Sequence, residues 1–155
     1  MRTVYTGGTF DLIHPGHVHL LAECRELAGK GGKVVVALNP DDFVERYKGH
    51  APVMRYADRA AVLRAIRYVD EVVPNLSGAD SRPTIEMVRP DIIAIGADWL
   101  GRDYYAQMGF TQRWLDEREI SLIYVPLLHY APAEGGHVPH SSTGLRATAR
   151  LVPHG

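Results

Sequence analysis

Five short apolar runs, at residues 3–6, 33–38, 71–73, 91–95 and 122–125, alternate along the chain with segments of helical spacing. This alternation constrains the fold more than any other feature of the sequence. Near-continuous hydrophobicity suits strands buried on both faces, as in a parallel sheet, because a strand with one wet face alternates apolar and polar residues instead. Between the first two runs, residues 17–28 place Leu20, Leu21, Cys24, Leu27 and Ala28 on one helical face, with Glu23 and Arg25 off it. The glycines within residues 29–32 then stop the helix. A second helix is predicted at residues 58–68, burying Val62, Leu63 and Ile66. A third starts near Pro83, a residue suited to a first helical turn, and ends before Pro90. Residues 116–119 close a further helix that begins near Thr111, and residues 141–150 read as a terminal helix capped by hydroxyls. The pattern predicts a Rossmann-like, doubly wound α/β sheet of about five parallel strands, with right-handed crossovers and helices on both faces. Ligands of such sheets bind beyond the C-terminal strand ends, so functional residues are expected just after strands.

With 155 residues, 46% of them hydrophobic, the chain can bury one sizeable core and reads as a single domain over residues 1–155. Seventeen basic against eighteen acidic side chains leave a net charge of -1. That balance argues against counterion-driven nucleic-acid binding and against attraction to anionic lipid, so an anionic ligand must be held by a local site. Cys24, the single cysteine, excludes an intrachain disulfide and a multi-cysteine zinc site, and it reads as a small core residue. No basic leader with a long apolar run opens the sequence, and no stretch reaches the ~18 apolar residues of a membrane span. A soluble, cytoplasmic protein is the expectation. Residues 127–139, rich in proline, glycine and histidine, read as a long loop suited to a lid.

The strongest local signal is Gly7-Gly8-Thr9-Phe10-Asp11-Leu12-Ile13-His14-Pro15-Gly16-His17, which follows the first strand and opens the first helix. Glycines let the backbone approach a polyphosphate, and a helix starting near Gly16 points unpaired N–H groups and its positive dipole end at the anion. Two imidazoles three residues apart can face the same anion and stabilise charge gathering around an α-phosphorus during in-line displacement. Taken alone, His-x-x-His also reads as a metal half-site or as two exposed loop histidines, although no third ligand accompanies it at a convincing spacing. The stretch is neither a dinucleotide glycine fingerprint nor a Walker A loop.

In full, Gly8-Thr9-Phe10-Asp11 followed by His14-Pro15-Gly16-His17 resembles the signature of the cytidylyltransferase-like nucleotidyltransferase superfamily. The similarity continues through Lys48-Gly49, Arg59 and Ile66-Arg67-Tyr68-Val69-Asp70-Glu71-Val72, segments that look like those of glycerol-3-phosphate and choline-phosphate cytidylyltransferases. The resemblance implies a catalytic set of His14, His17, Lys48 and Arg59, with the lysine and arginine contacting phosphates. Read on their own, these two cations are solvated surface charges. Gly96-Ala97-Asp98-Trp99 resembles the family's Gly-Asp-Asp-Trp segment near nucleotide and acceptor; otherwise Asp98 is a turn or capping residue and Trp99 a packing one. His140-Ser141-Ser142-Thr143-Gly144-Leu145-Arg146 resembles the second signature, whose hydroxyls and helix start would bind the β- and γ-phosphates. The implied nucleotide-binding set is therefore Gly8, Thr9, Phe10, Gly16, Gly96, Asp98, Ser141, Ser142, Thr143 and Arg146. Asp11, Trp99, His137 and His140 are the acceptor-binding candidates.

Two departures stand out. Arg-Thr-x-Gly is replaced near Gly136, His137, Val138 and Pro139, and the arginine is missing. Residues 100–114 look longer than in a minimal family member, and Arg102, Tyr104, Tyr105, Gln107, Arg113 and Trp114 read as an acceptor pocket or as an interface or cover. The resemblance implies CMP transfer from CTP, with Mg2+, to a small phosphorylated or phosphonate acceptor such as glycerol 3-phosphate, in a homodimer, with no nucleic-acid or membrane partner and no directly assigned metal ligand. The alternatives are an ATP-using adenylyltransferase of the same fold and a non-catalytic nucleotide-binding module.

Overall fold

The computed structural model describes residues 1–126. Five strands form one parallel sheet in the order β3-β2-β1-β4-β5. They are β1 (Thr3–Gly8), β2 (Lys33–Leu38), β3 (Glu71–Pro74), β4 (Ile92–Gly96) and β5 (Ser121–Val125), so every run that the sequence marked as a strand is one. The chain moves outward from β1 to β3, then returns to lay β4 on the other side of β1. That reversal opens a crevice beyond the C-terminal ends of β1 and β4.

Strand alternation sends residues to two cores. On one face Val4, Val34, Ile92 and Ala94 pack with Cys24 and Ala28 of α1 (Pro15–Ala28), while Val36, Leu38 and Val72 pack with Leu21 of α1 and with Ala60 and Leu63. The last two belong to α3 (Tyr56–Ala65). On the other face Tyr5, Val35, Ala37, Ile93 and Ile95 meet Ile85, Tyr104, Phe110 and Leu115. These come from α4 (Arg82–Val88), α5 (Tyr104–Met108), the segment after it and α6 (Gln112–Asp116). Cys24 is fully buried, as its small apolar reading requires.

The expected helices are displaced in detail. The second begins at Tyr56 and ends at Ala65, and Val62 is 37% exposed rather than buried. Its inner face is Arg59, Ala60 and Leu63, an arrangement hidden from a hydrophobicity pattern because a charged residue occupies a core position. Two helices, α2 (Asp41–Lys48) and the short α5, are not among those the sequence predicts, and α2 is the longer. Only Val44 is buried in α2, which leaves no apolar stripe to read. Its signals are polar: Asp41 and Asp42 in the first turn, Arg46 and Lys48 in the last, and Gly49 as a left-handed cap. A 3-10 turn, Ala97–Gly101, and α5 occupy the long segment after β4. The expected terminal helix and the long loop before it lie outside the described residues. Among the described residues, no helix is long and apolar enough to cross a membrane.

Candidate active site

The loop after β1 lies at the mouth of the crevice. His14 is the N-cap of α1, with extended backbone angles (φ -139°, ψ 171°) and Pro15 opening the first turn. The Gly16 N–H donates to His14 Nδ1 at 3.0 Å, and the His14 N–H donates to His17 Nδ1 at 3.3 Å. Two imidazoles thus form a reciprocal cap of the kind usually built from a hydroxyl and a carboxylate. A ring nitrogen that accepts an N–H carries no proton, so the proton of each neutral ring sits on Nε2. Helix capping thereby fixes the tautomer that makes Nε2 a donor. The two rings lie 3.9 Å apart between centroids, tilted by 30°, and the Phe10 ring lies 5.3 Å from that of His17.

Burial, followed by the nearby His14 and Lys48, pulls His17 down to about 3, against an opposing pull from Asp11. His17 is therefore neutral near pH 7, and it offers an N–H without needing a charge. Lys48 ends α2, is exposed, and lies within electrostatic reach of His17. The loop presents two imidazoles at the start of α1, and the end of α2 brings Lys48 within electrostatic reach of His17, a combination suited to holding and polarising a phosphate chain.

The backbone between the strand and the histidines is strained. Phe10 and Leu12 adopt left-handed conformations, at φ 48° and 50°, which cost a residue with a side chain about 1 kcal/mol or more each. A Cβ on Gly8 would stand 3.0 Å from the Phe10 ring, so glycine is what lets that ring fold back beside His17. Thr9 accepts a long bond from the Asn39 side chain at 3.4 Å.

Asp11 and Arg59 are both buried and bonded to the backbone. Asp11 is 1% exposed, and its carboxylate accepts the backbone N–H groups of Val53 (2.7 Å) and Met54 (2.9 Å). Arg59 is 0% exposed; it donates to the carbonyls of Met54, Thr9 and Asn39 at 2.9, 2.7 and 2.9 Å and pairs with Asp41 at 2.5 Å. It is not a solvated surface cation, since its guanidinium is buried against the Thr9 carbonyl of the loop. Gly96 ends β4, and Asp98 is exposed on the 3-10 turn that follows. Trp99 belongs to the same turn, and its side chain is outside the described residues. His137, His140, Ser141, Ser142, Thr143 and Arg146 also lie outside them.

Residues 100–114 are chiefly a cover. Tyr104 and Phe110 are buried in the second core, with Tyr105 and Trp114 packed against Phe110. Arg113 is exposed and paired with Glu117. Gln107 is different, since its Oε1 accepts from the Tyr47 hydroxyl at 3.3 Å and joins α5 to α2. Asn39 and Asn75 also stand at the C-terminal strand ends. Each directly follows a strand, and the Asn75 amide donates to the Asn39 side chain at 3.0 Å.

The model of the cytidylyltransferase-like family matches residues 5–148. The chain belongs to that family, which is one of nucleotidyltransferases. It is 45% identical over 95 residues to the FAD synthase of Pyrococcus horikoshii, a match covering 61% of this chain and 62% of the archaeal protein. It is 33% identical over 121 residues to the FAD synthase of Korarchaeum cryptofilum, covering 78% and 81% respectively. It is also 45% identical over 97 residues to the bifunctional protein HldE of Nitrosococcus oceani, covering 62% of this chain but 20% of that protein. Among solved structures, a lipopolysaccharide core biosynthesis protein from Thermoplasma volcanium superposes with a TM-score of 0.65 at 29% identity, covering 84% of this chain and 99% of that one. The chain thus spans less than two thirds of the Pyrococcus relative and a fifth of the HldE protein.

Proposed function

We propose that this protein transfers a nucleoside monophosphate, AMP from ATP in the first instance, to a small phosphorylated acceptor and releases pyrophosphate. The reading rests above all on the imidazole pair, whose Nδ1 atoms both accept backbone N–H groups so that the proton of each neutral ring is on Nε2, with Lys48 within electrostatic reach of His17. An acceptor phosphate oxygen attacks the α-phosphorus, the bond from that phosphorus to the bridging oxygen breaks, and the electron pair leaves with pyrophosphate. The protein contributes position and charge: the histidine Nε2–H groups and Lys48 receive the negative charge that builds on the phosphoryl oxygens. Ser141, Ser142, Thr143 and Arg146 complete the phosphate contacts in this reading, and Asp98 stands toward the nucleotide or acceptor.

Magnesium enters bound to the nucleotide's phosphates. Among the described residues, no group of three or more His, Cys, Asp or Glu side chains gathers as a metal cage, and Mg2+ commonly keeps its waters and relies on substrate phosphates. A homodimer belongs to the same proposal.

The resemblance carried by the sequence implies CTP, whereas the relatives favour ATP. The relatives above are FAD synthases and an HldE protein rather than a glycerol-3-phosphate cytidylyltransferase, and the product of an FAD synthase contains an adenylate. The observation favouring CTP is the segment Ile66-Arg67-Tyr68-Val69-Asp70-Glu71-Val72, so CTP is the second reading.

Pyrophosphate release, measured with each of the four nucleoside triphosphates plus magnesium against flavin, polyol, amino-alcohol and sugar phosphates and phosphonates, tests both. Release with ATP and one acceptor supports the adenylyl reading; release with CTP alone replaces it; silence across the panel points to a binding module. With the active pair in hand, His14→Ala and His17→Ala should each lower turnover by ~10²–10³, as loss of one preorganised donor does. Near-normal turnover in both variants sinks the mechanism.

A further inference from the structure

We propose that Asp11 and Arg59 form a buried clamp that positions Lys48 for the phosphates, acting through the backbone without touching substrate. The Met54 peptide is gripped on both sides, its N–H donating to Asp11 and its carbonyl accepting from Arg59 Nε. The Val53 N–H also donates to Asp11. Through Nη1, Arg59 reaches the Thr9 carbonyl in the strained loop and the Asn39 carbonyl after β2. Through Nη2 it holds Asp41, the first residue of α2, whose other carboxylate oxygen accepts the Tyr56 N–H at 3.1 Å.

Lys48 therefore lies between two pinned points. Asp41 fixes the start of the eight-residue α2, which Lys48 ends, and Met54 fixes the chain six residues beyond Lys48. Both pins lead to Arg59, and Asp11 ties the second to the loop that carries His14 and His17. Lysine is a flexible point charge, so the precision with which it meets a phosphate depends on how firmly its backbone is held. The left-handed residues Phe10 and Leu12 flank Asp11, and strained positions of this kind persist only where surrounding contacts over-determine them. The clamp supplies such contacts.

The geometry asks for these two side chains in particular. Four acceptors arranged around one guanidinium exceed what a lysine ammonium can reach. At position 11 both oxygens accept, so Asn would turn an NH₂ group toward one backbone N–H.

This inference rests on the nucleotide site proposed above, and its test keeps the two separable. Hydrogen exchange is followed at the Val53 and Met54 amides in the wild-type protein, Arg59→Lys and Asp11→Asn, and kcat/KM is measured for these and for Lys48→Ala, alone and combined. Asp11→Asn should accelerate exchange at both amides at least tenfold, whether or not the protein turns over any nucleotide. Each clamp variant should lower kcat/KM by ~10–100-fold, the scale of a small misplacement in a site. Combined with Lys48→Ala, it should lower kcat/KM little further than Lys48→Ala alone, because both changes remove the same contact. Unchanged exchange at Val53 and Met54, wild-type kcat/KM in both clamp variants, or losses that multiply fully with that of Lys48→Ala would overturn the clamp. Wild-type kcat/KM in Lys48→Ala overturns the nucleotide-site reading, and accelerated exchange then shows a clamp that holds the fold only. Should Arg59→Lys fail to fold, Asp11→Asn alone carries both readouts.

Discussion

At the scale of single residues, His17 links the chemistry of the site to the stability of the fold. Its side chain is held near 3 in the folded protein against an ordinary value of 6.5, so in acid the unfolded chain takes up the proton first. The stabilising contribution is complete above pH 6.5 and is lost as pH falls toward 3, at ~1.4 kcal/mol per pH unit once the unfolded chain is protonated. Denaturant titrations between pH 7 and 4 should show this decline in the wild-type protein and a shallower one in His17→Asn. Parallel declines would show that other groups carry the acid sensitivity. His14 and His17 were legible in the sequence because a motif and a helix start coincided. The burial of Asp11 and Arg59 was not, since both bond to carbonyls and amides of segments far away in sequence.

Elements are joined here by close approaches that only small residues allow. Between α1 and β2 the backbone passes so near itself that a Cβ on Gly32 would lie 2.1 Å from the Ala28 carbonyl oxygen and 2.7 Å from that of Arg2. Neither is the movable end of a side chain. Gly32→Ala should therefore destabilise the protein by roughly 1–3 kcal/mol, the usual range for overpacking, while Gly29→Ala should act only through the left-handed conformation at φ 69°, where nothing lies within 4 Å. Equilibrium unfolding of the two variants distinguishes crowding from conformational preference: equal losses would remove the steric account. The strands were plain from their apolar runs and α1 from its stripe. With one buried residue, α2 is set by its charges, its glycine cap and the Arg59–Asp41 pair.

Over the whole molecule, the two faces of the sheet are finished differently. One is closed by α1 and α3, and the other by α4 together with the long passage from β4 to β5. Leu115 of α6 is 0% exposed in that second core, so Leu115→Ala should lower unfolding free energy by roughly 2–5 kcal/mol. Because α6 packs on the face opposite α1, nucleotide affinity per folded molecule should change little. A stability loss under 1 kcal/mol, measured by denaturant melt, would mean that the passage is only loosely seated.

Local sequence determined the strands, the first helix and the glycine–histidine loop, because strand burial, helix periodicity and a helix start after a tight turn each require particular residues at short spacing. It also carried the family resemblance, whose motifs are contiguous. Tertiary structure decided that Asp11 and Arg59 are buried against distant backbone, that Tyr104 and Phe110 close a core, and that α2 exists at all. Those outcomes depend on which distant backbone groups need partners once the sheet has assembled, and no spacing along the chain encodes that.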